Sequence, residues 1–383
     1  MQAQRISSTH VGSLVRPPAF ASLLRRRLEN GVADSEYLPA LRSAVAEVVK
    51  QQAAAGIDIV SDGEYGKGIG WEQYVIERLS GFGPRVTLAT EGGVAFGDFA
   101  RFKEFYEELW PKEGYLEGIF PCVGPIAYTG HAALKRDIAN LRTAMAAAGV
   151  TAGFLPVAAP ASAFSMSPNQ YYKTDEEFIS AGAEALREEY KTILDSGLYL
   201  QVDDAHLPFA YDRMVPPATP EQYERWARVR IEALNHALRG LPEERIRYHI
   251  CWGSWNGPHT CDVPLKQIVG LLLEVRAGIY SIEAANPRHE HEWQVWKEVK
   301  LPKGKKLMPG VVSHQTNVVE HPELVAERVM RFASVVGRDN VIAGSDCGFA
   351  QGPFVRRVHP SIQWAKLAAL AEGARIATQR LWN

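Results

Sequence analysis

The chain alternates two hydrophobic rhythms. Stretches with apolar residues at helical spacing give way, through a glycine, to short continuous apolar runs that end on polar residues. Leu41 to Ala55 has the helical period and is followed by Gly56, the run Ile57 to Val60, and then Ser61-Asp62-Gly63-Glu64. The same order recurs from Phe178 to Leu194 through Gly197 to Val202 and Asp203-Asp204. It recurs from Tyr223 to Leu238 through Gly240 to His249-Ile250-Cys251, and from Leu265 to Val275 through Gly278 to Glu283. A last copy runs from Leu324 to Val336 through Gly337 to Ser345-Asp346-Cys347. A glycine after a helix is the left-handed C-cap signal, and short apolar runs alternating with helices predict βαβ units and a parallel sheet.

Eight such strands are expected, around Ile6, Ile59, Leu155, Leu200, Ile250, Ile282, Val311 and Ile342. Eight parallel strands with intervening helices predict an α/β fold of the (β/α)8 TIM-barrel type. An open doubly wound sheet is the alternative, but no G-x-G-x-x-G follows a strand. A ninth apolar stretch, Ile119 to Tyr128, reads as a hairpin in an insertion. The expected organisation is a single catalytic domain over 1–383 with a helical or hairpin insertion near 80–118. That insertion is rich in glycine and aromatics. It is either a packed helical hairpin or, taken over 80–130, a lid across the barrel mouth.

Composition narrows the class. The chain has 383 residues, 46% apolar and 22% charged, and its net charge is -2. This balance argues against nucleic acid or an anionic membrane as partner. No apolar run reaches membrane-spanning length, and the N-terminus has no apolar signal core. Four cysteines make no disulfide framework, which leads us to expect a reduced, cytoplasmic setting where a thiol is worth inspecting as ligand or nucleophile. A homo-oligomer is compatible with the sequence.

In such a barrel, catalytic residues stand at the C-terminal ends of the strands. The polar strand ends here are Thr9-His10, Asp62-Gly63-Glu64, Asp203-Asp204, His249 with Cys251, Glu283, His314 and Asp346-Cys347. His249 and Cys251 are two apart on one strand and share a face. With Glu283 and Cys347 they make a four-donor set suited to Zn²⁺. The alternative is a buried cysteine pair acting as small hydrophobes beside a satisfied histidine. A second H-x-C, His259 and Cys261, reads as loop structure or substrate contact, and Cys122 has no assigned role. Asp62 and Asp204 can be explained as caps of following turns, an explanation that does not extend to Glu64.

Taken together, these residues resemble the C-terminal catalytic barrel of the cobalamin-independent methionine synthase family. The likeness rests on Thr9-His10-Val11-Gly12-Ser13, Asp62-Gly63-Glu64, Gln201-Val202-Asp203, His249-Ile250-Cys251, Ser281-Ile282-Glu283 and Ser345-Asp346-Cys347-Gly348, in family order across nearly the whole chain. The resemblance implies Zn²⁺ held by His249, Cys251, Glu283 and Cys347. It implies a thiol substrate activated as the thiolate and a methyl donor whose leaving nitrogen needs a proton, with His314 as general acid. Glu64, Asp203 and the Val11-Gly12-Ser13 segment would contact an amino-acid substrate such as homocysteine.

The chain departs from the family in three places. It has one barrel where the longer members have two. Ala159 to Met166 lacks the tryptophan that stacks on a pterin, leaving Phe164, Met166, Tyr171 and Tyr172. Asp203-Asp204-Ala205-His206 and Trp252 to His259 replace the usual mouth. These changes leave a folate donor open. They raise an alternative, transfer of another alkyl group or an epoxide to a small thiol such as coenzyme M, for which Arg16, Lys67 or Arg288 would be the cation. A non-catalytic protein that binds zinc or a thiol is the reading from another class. A decarboxylase on a uroporphyrinogen-type barrel would need no thiolate ligands.

Overall fold

The computed structural model describes residues 4–86, 97–109 and 119–383. All eight expected strands form: β1 (Ser7–Ser8), β2 (Ile59–Val60), β3 (Ala152–Ala158), β4 (Tyr199–Asp204), β5 (Ile246–Ile250), β6 (Ile279–Ile282), β7 (Lys306–Val312) and β8 (Ile342–Ser345). Every neighbouring pair from β2 to β8 is parallel, and β1 pairs β8. A single bridge between Thr9 and Ile59 joins β1 to β2, which closes the (β/α)8 barrel.

Alternation along the strands sorts the side chains. On β5, Ile246, Tyr248 and Ile250 face the helix layer, while Arg247 and His249 face inward. Tyr248 donates to Asp204 Oδ2 at 2.9 Å on the outer side. Arg247 fills the barrel beneath the mouth, donating to the His10 carbonyl at 2.6 Å and lying 3.8 Å over the Phe154 ring. This cation is fully buried, and desolvation lowers its pKa to about 9.

The helices begin where capping chemistry allows. Thr174 accepts from the Glu177 amide at 3.1 Å to open the helix Asp175–Asp195. Thr219 and Gln222 form a reciprocal capping box at the start of Pro220–Ala237. The second helix starts at Asp34, seven residues before the expected Leu41, because its first turns carry charged and half-buried positions without a strong apolar period. Of the five predicted helix-end glycines, Gly56, Gly197, Gly240 and Gly337 have positive φ. Gly278 does not; it is required for space, since a Cβ there would lie 2.5 Å from the Glu243 carbonyl oxygen.

The insertion has both hairpin and helical parts. Antiparallel bridges Leu79–Tyr128, Phe82–Cys122 and Val86–Ile119 pair its two ends. Between them lie short helices Gly97–Arg101 and Lys103–Leu109. The rest of the expected insertion, 87–96 and 110–118, lies outside the described residues.

Candidate metal centre and substrate pocket

Strand register builds the centre. Asp203 on β4 is aligned with His249 on β5, and His249 with Ser281 on β6. These three inward residues form one layer at the C-terminal rim. Cys251 and Glu283 each stand two residues further, so they rise from the same faces one layer up. Cys347 enters from the loop after β8.

The ligand atoms of His249, Cys251 and Cys347 all lie within 4.8 Å of one another, and all three residues are buried. Glu283 is outside that group of three but adjoins it. Its Oε1 accepts from the Trp252 amide at 3.3 Å and its Oε2 from Asn286 Nδ2 at 2.7 Å.

A cation fits this set. His249 Nδ1 is hydrogen-bonded to Ser281 Oγ at 3.0 Å. Its Nε2 is buried and has no hydrogen-bond partner, and a buried polar atom left unpaired calls for a ligand. The serine fixes ring orientation as an outer partner does for a metal-bound imidazole. Burial lowers the His249 pKa to about 4, so the ring is neutral and free to donate its lone pair.

Hydrogen bonding between the two thiols, with burial adding to it, raises Cys251 well above the ordinary thiol range, and the same bond lowers Cys347. Burial and the neighbouring Asp346 push Glu283 up to about 8. A divalent cation reverses this balance by favouring thiolate and carboxylate.

Asp346 was singled out in the sequence only as a strand-end residue, and the structure gives it a structural part. Its Oδ1 accepts from the amides of Ala284 and Ala285 at 2.7 and 2.8 Å. Glu283 and Cys347, which flank this contact, are thereby held together. The readable signal was Gly310 opposite it on β7, where any Cβ would run into the Asp346 carboxylate.

The expected substrate residues gather beside the centre. Gly12 has φ +129, and a Cβ on it would lie 2.9 Å from Glu64 Oε1, so glycine lets the Glu64 carboxylate approach the backbone. Glu64 itself has φ +63, an uncommon conformation for a residue with a side chain that concentrates at functional sites. Val11 donates through its amide to Ser345 Oγ at 3.2 Å, and the Ser13 hydroxyl donates to the Ala350 carbonyl. Asp203 accepts from Gln201 Nε2 at 2.7 Å. Burial raises its pKa to about 7, against the pull of His249 and Lys67.

His314, in the loop after β7, is fully enclosed, with neither ring nitrogen hydrogen-bonded. Burial sets its pKa well below the ordinary value.

Other candidates fall elsewhere. Asp62 and Asp204 behave as caps: Asp62 Oδ1 accepts from the Glu64 amide at 2.9 Å, and Asp204 accepts from Ser162 and the Leu207 amide. His206 packs on Trp226 and Phe209. Arg16 spends its guanidinium on the Glu64 and Lys67 carbonyls, and Arg288 is exposed. His259 joins a buried chain in which Asp262 also pairs with His289 at 3.1 Å, with His259 stacked on Trp255. Cys261 is outside the sulfur pair.

A barrel whose rim brings a buried imidazole and two sulfurs within 4.8 Å of one another, with a carboxylate adjoining, offers a donor set that could hold a metal ion. The catalytic-domain model of the cobalamin-independent synthases matches residues 160–369, more than half of the chain, and the chain belongs to that family. It is an enzyme of the methyl- and alkyl-transfer class.

The 2-hydroxypropyl-CoM lyase of Xanthobacter autotrophicus is 25% identical over 376 residues, 91% of this chain and 88% of the relative. The methionine synthase of Saccharolobus solfataricus is 21% identical over 382 residues, 98% and 96% of the two chains. The solved B12-independent methionine synthase of Shewanella sp. W3-18-1, in complex with selenomethionine, shares the fold with a TM-score of 0.72 at 21% identity. That match covers 98% of this chain and 99% of the other. Among the described residues, no helix is long and apolar enough to cross a membrane.

Proposed function

We propose that the protein is a zinc-dependent transferase that methylates the sulfur of a small thiol, with homocysteine as the acceptor its methionine synthase relatives point to. The observation that carries this reading is the convergence of His249, Cys251 and Cys347 within 4.8 Å at the barrel rim. Two sulfurs with an imidazole favour zinc over the harder divalent ions. His249, Cys251 and Cys347 would hold it, with Glu283 as the fourth ligand. When bound, the ion supplies Lewis acidity that makes a thiol acidic at neutral pH and fixes the position of its sulfur.

The protein's own groups do the rest. Glu64 and Asp203 orient the acceptor's polar end, and the Val11-Gly12-Ser13 backbone borders it. The sulfur attacks the methyl carbon, the bond from carbon to the donor's nitrogen breaks, and that nitrogen takes up the proton the thiol gave up. His314 relays this proton. Burial keeps its ring neutral at rest, so it carries the proton only in passage from the thiol to the nitrogen. The helices Gly97–Arg101 and Lys103–Leu109 serve as the lid that keeps bulk water from the thiolate.

A second reading keeps the thiol chemistry and changes the electrophile to another alkyl group or an epoxide, with a thiol such as coenzyme M. The lyase relative favours it.

The test is thioether formation by the zinc-loaded enzyme, followed by mass spectrometry with homocysteine or 2-mercaptoethanesulfonate and donors of methyl groups or epoxides. A methylated thiol supports the first reading and an epoxide adduct the second. No thioether with any pair rejects both.

A further inference from the structure

Lys67 was one of three cations considered for an acidic substrate, and it is the one whose side chain meets the proposed substrate carboxylates. Its Nζ lies 3.1 Å from Glu64 Oε2, with side-chain exposures of 8% and 5%. The ammonium also lies 4.5 Å from the centre of the Tyr74 ring.

An ammonium has three N–H donors and no acceptor. Glu64 approaches from one side, the aromatic face offers no oxygen, and no well-aligned hydrogen bond saturates Nζ. The remaining donors are out of water and make no hydrogen bond, with Asp62 a further carboxylate in reach of their charge. Their charge reaches Asp203, whose field also contains Glu64 and His249. Asp203 thus feels the charges of His249, Glu64 and Lys67 together.

The other nearby cations are committed. Arg16 is bound to two backbone carbonyls. Arg78 is clamped between Asp137 at 2.5 Å and Glu189 at 2.7 Å. Among the described residues at this end of the site, Lys67 Nζ and Arg16 Nε keep unpaired donors, and of the two only Lys67 pairs with a proposed substrate carboxylate.

We infer that Lys67 is the specificity-determining residue for the acceptor, and that it receives the acidic head, carboxylate or sulfonate, of a small thiol whose sulfur lies at the metal centre. The inference rests on the thiol-transferase reading. Glu64 is the built-in counter-ion that keeps Lys67 in place when the head is absent. An amine on the acceptor is accommodated by Glu64 once Lys67 turns to the acid, so an amino-acid head exchanges one internal ion pair for two.

The experiment is calorimetric titration of the zinc-loaded protein and its variants with four thiols: homocysteine, 3-mercaptopropionate, 2-mercaptoethanesulfonate and 3-aminopropane-1-thiol. Lys67→Met should weaken the three acid-bearing thiols by roughly ten- to a hundredfold, the worth of a hydrogen bond to a charged group. The amine-only thiol should bind as before or more tightly. Lys67→Arg should restore the acids, and Glu64→Gln, which frees the ammonium, should tighten 3-mercaptopropionate and 2-mercaptoethanesulfonate. The tighter of those two identifies the head as carboxylate or sulfonate.

Equal loss for all four thiols, or no loss for the acids, overturns the assignment of Lys67 while leaving the transferase reading intact. If Lys67→Met does not fold, unchanged acid binding in Glu64→Gln overturns it. A parent enzyme that binds no thiol overturns both.

Discussion

The Asp346 carboxylate, at the end of β8, reaches past β7 to accept the Ala284 amide of the β6 loop at 2.7 Å. The contact, which continues to Ala285 at 2.8 Å, ties together the two loops that carry Glu283 and Cys347. Two strands that never pair with each other are thus joined at the height of Glu283 and Cys347.

Asp346→Ala would leave two buried amides unpaired, at about 1–3 kcal/mol each, and would release the two loops from each other. The variant should fold with a lower melting temperature and bind zinc more weakly. Chelator competition measures the second effect. Asp346→Asn keeps one acceptor oxygen and should recover most of the affinity. Native affinity in the alanine variant would show that the contact does not position the ligands.

Cys347→Ser replaces a soft sulfur by a hydroxyl at one of the three converging positions. Metal content, measured by plasma mass spectrometry after gel filtration, should fall well below one per chain. Unchanged stoichiometry would remove Cys347 from the site.

Metal affinity should rise with pH. Without a cation, Glu283 titrates near 8 and Cys251 above the ordinary thiol range, so both carry protons at neutral pH. His249, lowered to about 4, carries none there. Loading must therefore expel protons from Cys251 and Glu283, and affinity should climb by up to about a hundredfold per pH unit on approaching 8 from below. Competition with a chelator of known pH dependence checks this; a flat profile would mean the ligands are already deprotonated.

His314→Ala should retain the metal and slow turnover by about 10²–10⁴-fold, the usual worth of a positioned acid. Single-turnover measurement separates this from product release. Full activity would take His314 out of the proton path.

The barrel and the cluster of His249, Cys251 and Cys347 were legible in the sequence because both depend on local pattern. Each strand is a short apolar run after a helix and a glycine, and each proposed ligand stands where such a run ends. His249 and Cys251 could be placed on one face from their spacing alone. What the sequence could not give was distance between loops. Asp346, one residue before Cys347, is fixed by amides on another strand's loop and by the room Gly310 leaves, and neither has a signature in the run that contains it. Lys67 was visible as a cation, but its pairing with Glu64 depends on the left-handed turn at Gly63 and Glu64, which apolar periodicity does not encode. Gly278 was expected to cap a helix and instead makes room for the Glu243 backbone, because a close approach between segments far apart in sequence reads the same as a cap. The helical period also began too late at Leu41, where the preceding turns are anchored by charge rather than by an apolar stripe.

Among the described residues, Asp98 makes one of three polar contacts that latch the insertion to the mouth. Asp98, buried in the helix Gly97–Arg101, accepts the Thr260 amide at 3.0 and 2.9 Å and its hydroxyl as well. Thr260 belongs to the loop after β5, so the latch ties the insertion to the strand that carries His249 and Cys251. Trp255 of the same loop donates to the Tyr106 hydroxyl at 3.1 Å, and Gly97 donates to Asp212 at 2.9 Å. If the insertion is the lid, Asp98→Ala should raise the open population by roughly ten- to a hundredfold, the equivalent of one lost charged hydrogen bond. The Thr260 amide should then exchange with deuterium faster, while amides of the barrel strands are unaffected. KM for the thiol should rise and zinc content stay constant, because none of the proposed ligands comes from the insertion. Equal KM with faster Thr260 exchange would mean that the latch holds the loop but does not gate the site, and the helices would then be packing rather than a lid.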